Sequence, residues 1–305
     1  MFVVGLDENG LGPRLGPLVA TAVTLESPSY DRAGLRRAGL RVGIGDSKAV
    51  SGFGRMARAE SIVLALLERL HGACPTEADE LLRLVALDGL LPLRAPCPSR
   101  AAPQCWSVGI SLPVFGGDPE AGHRALDRLE RRRVRVRRAC SAIACAGVLN
   151  GELRDDVSKL VIDLGLFERL ILDARRAAGA EVTAYCGMVG GIRRYDGYFR
   201  HFDGTSVRVV GTDRARCAYH VDGLGDVVFE VHADDAHLPV ALASMLGKYV
   251  RELAMERQNR FYRERDPVLP APSGYHDPVT ARFVERSAPL RRRLGIVSDC
   301  FERLR

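Results

Sequence analysis

Two acids stand side by side at Asp7 and Glu8, where the apolar run 2–6 ends, and a turn rich in glycine and proline follows: Asn9-Gly10-Leu11-Gly12-Pro13-Arg14-Leu15-Gly16-Pro17. Successive side chains of a strand point to opposite faces. At least one of the two carboxylates is therefore aimed into a crevice, where it needs a cation. A hard divalent metal is the natural partner for such oxygens. Gly10 and Gly12 carry no Cβ, so backbone N–H groups there can approach a phosphate or a sugar closely. Taken alone, the acids and glycines read more simply as a charged hairpin turn.

The combination with distant segments changes that reading. Asp46-Ser47-Lys48 follows the turn, and much further on come Asp234, the segment Ala243-Ser244-Met245-Leu246-Gly247-Lys248-Tyr249-Val250-Arg251-Glu252, and Ser273-Gly274-Tyr275. In this order the segments resemble the type 2 ribonucleases H (ribonuclease HII). The pattern of that family is Asp-Glu-Ala-Gly-Arg-Gly-Pro-x-x-Gly-Pro, then Asp-Ser-Lys, then an Asp segment running into Ala-Ser-Ile-x-Ala-Lys-Val-x-Arg-Asp, and a Lys-Gly-Tyr tail. The likeness spans most of the chain and is poor between about 75 and 150. Helical geometry gives an independent observation: at about 100° per residue, Ser244, Lys248 and Glu252 share one stripe, while Leu242, Leu246, Tyr249 and Leu253 share the far side. The polar trio thus faces something other than the core.

The resemblance implies that Asp7, Glu8 and Glu252, the last in place of the family's final Asp, hold Mg²⁺ or Mn²⁺. Two such ions would activate a water and stabilise the leaving 3′-oxygen of a phosphodiester. It implies that Gly10, Leu11, Gly12 and Tyr275 lie along the substrate, against the ribose whose 2′-OH distinguishes RNA from DNA. Lys48, Ser244 and Lys248 would contact phosphate or support the acids. Two departures stand out. Leu11 occupies the place of the Arg in the Gly-Arg-Gly loop, and Cys186-Gly187 falls where the family carries another Asp at the end of a central strand. Cys186 reads as a buried structural thiol, because soft sulfur suits Mg²⁺ poorly. Asp163 and Asp173 read as solvated acids of a helix.

The elements that must position these residues follow from periodicity and turn signals. Residues 2–6 and 18–25 read as adjacent buried strands. Ser51 can cap a helix running to Leu70, and Thr76 another running to Leu91. A proline-rich stretch at 92–103 precedes a strand-like run at 105–115. Helices are expected over 119–132 and 157–178, strands over 181–186, 206–210, 217–221 and 226–232, and a long helix from Leu238 to about Arg263 with Pro239 in its first turn. Residues 131–138 hold six arginines, and their second half alternates with Val134 and Val136. This reads equally as an Arg-faced strand tracking phosphates or as a solvated edge. The expected fold is α/β, ribonuclease H-like, with a mixed central sheet. The expected division is a domain over 1–265 and a helical C-terminal extension over 266–305.

Composition sets the outer limits. The 305 residues are 47% hydrophobic and 27% charged, which excludes wholesale disorder and a disulfide-stapled miniprotein. No stretch reaches the roughly 18 apolar residues of a membrane span, and no export signal is read at Met1. The eight cysteines are scattered without Cys-x-x-Cys spacing, and reduced thiols in a cytoplasm are expected. The formal charge of +6 favours a polyanionic partner. Of the 44 basic residues only Lys48, Lys159 and Lys248 are lysine, which marks positions where the wide arginine fork does not fit. Two functions are expected from these features: a monomeric divalent-metal-dependent endonuclease acting on RNA in RNA–DNA hybrids or on ribonucleotides embedded in DNA, or a catalytically attenuated hybrid-binding protein of the same fold.

Overall fold

The computed structural model describes residues 1–45, 56–95, 104–202 and 204–304. Strand β1 (Phe2–Asn9) turns back into β2 (Leu18–Glu26), antiparallel, with Asp7 opposite Thr21. β3 (Arg135–Ala144) continues the antiparallel edge beyond β2. On the other side of β1 lies β4 (Val182–Gly187), parallel to it, with Leu6 opposite Cys186. β5 (Val207–Thr212), β6 (Arg216–Val221) and β7 (Gly225–Glu230) form an antiparallel meander whose last strand runs parallel to β4. The result is a mixed seven-stranded sheet in the order β3-β2-β1-β4-β7-β6-β5. The parallel pair β1 and β4 sits at its centre, and the two strands end side by side. Open α/β sheets leave their crevice outside such carboxyl ends.

Helices cover both faces. On one side α1 (Arg32–Arg41), α2 (Ala57–His71), α5 (Pro119–Glu130) and α9 (Leu238–Arg263) close an apolar core that includes Val19, Val23, Leu64 and Leu246. α9 approaches the sheet unusually closely. A Cβ on Gly5 of β1 would stand 2.1 Å from the backbone at Pro239 and Val240, and one on Gly247 would stand 2.7 Å from Asn9 Nδ2 and Thr21 Oγ1. The backbone contact at Gly5 and the side-chain contacts at Gly247 press the face carrying Ser244 against the end of β1. On the opposite side α7 (Lys159–Ala178) starts at the Ser158 cap, ends at left-handed Gly179 and buries Phe167, Leu170 and Ala174 against Leu6, Ala184 and Cys186.

Two local expectations are corrected. The helix capped near Thr76 stops as α3 (Ala78–Val85), because Ala86 bridges to Ser141 and the Leu87 N–H donates to Ser141 O at 2.8 Å. A short α4 (Leu90–Arg94) follows. The run 105–115 forms no strand. After one 3-10 turn at Cys105–Ser107, the N–H groups of Val114, Phe115 and Gly117 are taken by the buried Glu60 carboxylate at 2.7, 2.8 and 2.8 Å. A side chain thus satisfies donors that a sheet ladder would otherwise need to satisfy. The arginine run begins β3 at the end of the sheet remote from Asp7, since Arg135 pairs with Glu26 whereas Asp7 pairs with Thr21.

The C-terminal segment packs back onto the first turn of the chain. α10 (Pro278–Arg293) shares a core of Leu15, Met255, Tyr262, Phe283 and Phe301. Asn150, at the end of β3's connection in α6 (Ala146–Arg154), donates to Asp299 O and Glu302 O at 2.9 and 2.8 Å, and the Arg303 N–H donates to Arg14 O at 3.0 Å. Among the described residues no helix is long and apolar enough to cross a membrane.

Candidate active site

Asp7 and Glu8 close β1 directly beside the last residue of β4. A Cβ built on Gly187 would lie 3.0 Å from Asp7 Oδ1 and 3.6 Å from Glu8 Oε2, so both carboxylates reach the side of the sheet crevice that Gly187 leaves open. Cys186 points the other way, 0% exposed in the core under α7, and burial holds its thiol well above the usual range. The sequence leaves open whether 186 or 187 faces the acids. The position is 187, and its φ lies outside the left-handed region.

Other elements complete the acidic group. From α9 the Ser244 hydroxyl donates to the Asp7 carboxylate. The one-turn helix α8 (Ala233–Ala236) brings Asp234 within electrostatic reach of both Asp7 and Glu8. From α7 comes Asp163, 0% exposed, with no hydrogen-bond partner for either carboxylate oxygen. Burial and then the neighbouring charges dominate their titration. Asp7 is raised well above the usual carboxylate range by burial and by Glu8. Burial and Asp163 push Glu8 up to about 8, and burial and Asp7 push Asp163 up to about 8. Carboxylates crowded in a dry crevice must hold protons or a cation.

Asp7 and Glu8 offer the hard oxygen donors a divalent ion takes, and Asp234 and Asp163 lie within electrostatic reach of them. Among the described residues no three His, Cys, Asp or Glu side chains stand together at metal-binding geometry. A cation here would draw on one or two carboxylates, with water and substrate phosphate as its remaining ligands, as Mg²⁺ commonly does.

The glycine turn forms the rim. Gly10 has φ +94°, and a Cβ there would press to 2.7 Å from Pro17 O. Arg303, buried beneath the turn, donates through Nη1 to Gly10 O and through Nη2 to Leu11 O at 2.8 Å. A trans peptide sets its N–H opposite its C=O. With those two carbonyls turned inward, the N–H groups of Leu11 and Gly12 face outward, and nothing lies within 4 Å of where a Gly12 Cβ would be. Burial, then nearby Arg251, pushes Arg303 down to about 10. The Ser273-Gly274-Tyr275 segment joins the rim, since Gly274 O accepts from the N–H groups of Arg14 and Leu15 at 2.8 and 3.0 Å. Arg251, 1% exposed, donates to Ser273 O at 3.2 Å and lies over the Tyr275 ring, 4.6 Å from its centroid. The ring itself is 49% exposed.

The structure therefore brings together Asp7, Glu8 and Ser244, and beside them Gly10, Leu11, Gly12 and Tyr275. Glu252 does not join the acids. Its carboxylate accepts from Arg251 at 2.7 Å; burial raises its pKa, and Arg251 and Lys248 are the charges that oppose the rise. Ser244 and Glu252 are eight residues apart on one helix, about 12 Å at 1.5 Å per residue, so only one end of their stripe meets β1. Lys248 lies between them, half-buried. Lys48, with Asp46 and Ser47, lies outside the described residues. The solvated reading of Asp163 is wrong, and Asp173 pairs with Arg138 at 2.5 and 3.0 Å. Sequence reasoning misses Asp163, the electrostatic part of Asp234, and the two buried arginines under the rim. For Asp163 a signal exists: it stands four, seven and eleven residues before Phe167, Leu170 and Ala174, on the apolar stripe of its own helix.

No family model matches the chain, and no curated protein matches it. Solved structures do. One is RNase HII of Archaeoglobus fulgidus, from its complex with PCNA: 20% identity, 100% of this chain and 95% of that chain covered, TM-score 0.51. This chain has the ribonuclease H-like fold. A second structure with the same fold is Bst-RNase HIII in complex with Mn²⁺, at 16% identity and a TM-score of 0.51, with 100% of this chain and 66% of that chain covered. A mutant form of Bst-RNase HIII matches at 16% identity and a TM-score of 0.50, covering 98% of this chain and 65% of that one. In the ribonuclease H-like sheet described above, the acidic group lies at the carboxyl ends of the central parallel strands, where β1 passes into the glycine turn.

Proposed function

We propose that this protein is a divalent-metal-dependent endonuclease that cuts RNA in RNA–DNA hybrids or at ribonucleotides embedded in DNA. The observation that carries the reading is the adjacency of two features: crowded carboxylates at the end of β1, and a rim of outward backbone N–H groups with an exposed tyrosine immediately after them. The Mn²⁺ complex of Bst-RNase HIII, which shares the fold, supports a cation at the acids.

Asp7 and Glu8, with Asp234 beside them, are the residues that would hold Mg²⁺ or Mn²⁺. An ion held there would supply activation of a water and stabilisation of the leaving 3′-oxygen. Ser244 orients Asp7 through its hydrogen bond. The N–H groups of Leu11 and Gly12 donate to the ribose 2′-OH or the adjacent phosphate, and Tyr275 packs against the sugar; a 2′-OH lets a protein tell RNA from DNA. Arg303 and Arg251 position the rim from below and do not touch the substrate. The basic surface, net +6, draws the duplex in.

Gly187, which offers no carboxylate to the crevice, favours a second reading in which hybrid is bound and cut slowly or not at all. Incubation of the protein with RNA–DNA, RNA–RNA and DNA–DNA duplexes in Mg²⁺ and in Mn²⁺ decides between them. Metal-dependent cleavage of the hybrid alone, lost in Asp7→Asn, is expected. Binding of the hybrid with no cleavage in either metal would leave the second reading.

A further inference from the structure

The segment 298–304, beyond α10, holds the glycine turn from beneath. Asn150, 0% exposed, receives that segment: its amide donates to Asp299 O and Glu302 O, and its Oδ1 accepts from the Leu304 N–H at 2.8 Å. Pinned in this way, the segment delivers Arg303, 5% exposed, under two successive carbonyls, where Nη1 donates to Gly10 O and Nη2 to Leu11 O. Among the described residues its buried Nε has no partner.

Arg14, Arg251 and Arg303 meet at this turn, and charge separates them. Arg14 pairs with Glu302 at 2.5 Å and Arg251 with Glu252 at 2.7 Å. Arg303 makes no ion pair with any described carboxylate, and its donors meet only neutral carbonyl oxygens. A buried charge without a counter-charge is costly, and a second guanidinium nearby adds to the cost: Arg251 Nε stands 3.0 Å from where a Gly10 Cβ would be. Holding two carbonyls inward does not require a charge, because a neutral amide donates to carbonyls as well. What the charge adds lies on the far side of the turn. Guanidinium N–H, peptide C=O and peptide N–H run in series, so the positive charge polarises the N–H groups of Leu11 and Gly12. Neither N–H has an acceptor among the described residues, and the space over Gly12 is open. Successive outward N–H groups in a turn form an anion-binding concavity. A neutral hydroxyl there would leave Arg303 uncompensated, whereas a phosphate compensates it.

We propose that the glycine turn is a site for a single backbone phosphate, the one next to the ribose, and that Arg303 is its positioning residue and counter-charge. Arg303 acts through the Gly10 and Leu11 carbonyls and does not touch the substrate. The inference rests on the nucleic-acid reading above and makes a phosphate, not the 2′-OH, the ligand of the two N–H groups, which leaves the sugar to Tyr275.

The test is fluorescence anisotropy in EDTA at pH 7 with the full chain and a labelled DNA duplex carrying one ribonucleotide. The DNA linkages flanking the ribonucleotide are replaced, one at a time, by neutral methylphosphonates. One of them should weaken binding by the parent at least about tenfold, the scale of a lost hydrogen bond to a charged group. Arg303→Gln keeps an amide for the carbonyls and lacks the charge. It should bind the unmodified duplex about tenfold more weakly, lose its sensitivity to that linkage, and show a log–log salt slope shallower by about one. Arg303→Lys should keep the sensitivity. A parent indifferent to every linkage would overturn the phosphate site whatever the variants do. Full sensitivity in Arg303→Gln, or its loss in Arg303→Lys with an unchanged thermal melt, would overturn the role of Arg303; with cleavage of the hybrid intact, either result leaves the proposed function standing. Should Arg303→Gln fail to fold, the parent and Arg303→Lys still decide. No binding of any duplex by the parent would overturn both the phosphate site and the proposed function.

Discussion

Raising the pH should destabilise this protein when no metal is present, and the structure sets the size of the effect. Burial and Asp163 hold Glu8 at about 8, against 4.5 for an ordinary glutamate, and burial and Asp7 hold Asp163 at about 8, against 3.8 for an ordinary aspartate. Between those limits the folded protein keeps protons that the unfolded chain has released. Stability is therefore complete below about pH 4 and is lost as the pH rises through about 8. One such group, shifted by three to four pH units at 1.36 kcal/mol each, is worth about 5 kcal/mol. Glu8 and Asp163 share a repulsion and titrate as a coupled set, so about 5 kcal/mol is also the magnitude for the pair. Against a typical stability of about 5 to 15 kcal/mol this is large. Urea unfolding in EDTA at pH 5.5 and 8.5 samples about 2.5 pH units of it, roughly 3.5 kcal/mol; with a slope of about 3 kcal/mol per molar, the midpoint should fall by about 1 M. Glu8→Gln should flatten most of that fall, and saturating Mn²⁺ should abolish it by replacing the protons and binding only the folded state. A midpoint that holds steady or rises from pH 5.5 to 8.5 in EDTA would refute the crowded-acid description.

Three further outcomes follow from particular contacts. Cys186→Asp should destabilise the fold by more than about 4 kcal/mol with or without Mn²⁺, because it drives a carboxylate into an apolar core, whereas Gly187→Asp one residue on adds its carboxylate to the crowded acids, so its cost should grow with pH in EDTA and be relieved by saturating Mn²⁺. Thermal melts of the two variants side by side check this. Gly10→Ala should cost about 1 to 3 kcal/mol through its positive φ and the 2.7 Å approach to Pro17 O, and should weaken hybrid binding more than binding of an all-DNA duplex in a fluorescence anisotropy titration. Hybrid affinity should fall by at least about tenfold between 50 and 200 mM salt, since arginine–phosphate contacts release counterions, and a flat dependence would remove the electrostatic basis for a nucleic-acid partner.

How much of this is legible in the sequence depends on what kind of signal each residue leaves. The end of β1, the glycine turn and the bounds of α9 follow from local pattern: an apolar run, positive-φ turn residues, and a polar stripe on an otherwise buried helix. The junction of the turn with Ser273-Gly274-Tyr275 is foreshadowed by motif order, and the backbone bonds from Arg14 and Leu15 to Gly274 show how it is made. Glu252 reads as one of the acids because the resemblance sets it in the place of the family's final Asp, and the stripe it shares with Ser244 fixes direction and not distance along the helix. Asp163 reads as solvated because charged residues on helices usually are, although its spacing with Phe167, Leu170 and Ala174 puts it on the buried side. The run 105–115 misleads because its backbone donors are satisfied by Glu60, a partner 54 to 57 residues away that no local pattern reveals. Arg303 is a similar case, reaching the turn from 293 residues further along the chain.

In the function proposed above, the acids closing β1 work together with the turn that follows them to cut where a ribose interrupts or accompanies DNA. The most direct measurement is denaturing electrophoresis of an otherwise all-DNA duplex carrying one ribonucleotide, end-labelled and incubated with the protein in Mn²⁺. A single cut next to the ribonucleotide is expected, with no cut in the same duplex lacking it and no cut by Asp7→Asn. Equal cleavage of the all-DNA duplex, or cleavage that survives Asp7→Asn, would contradict it.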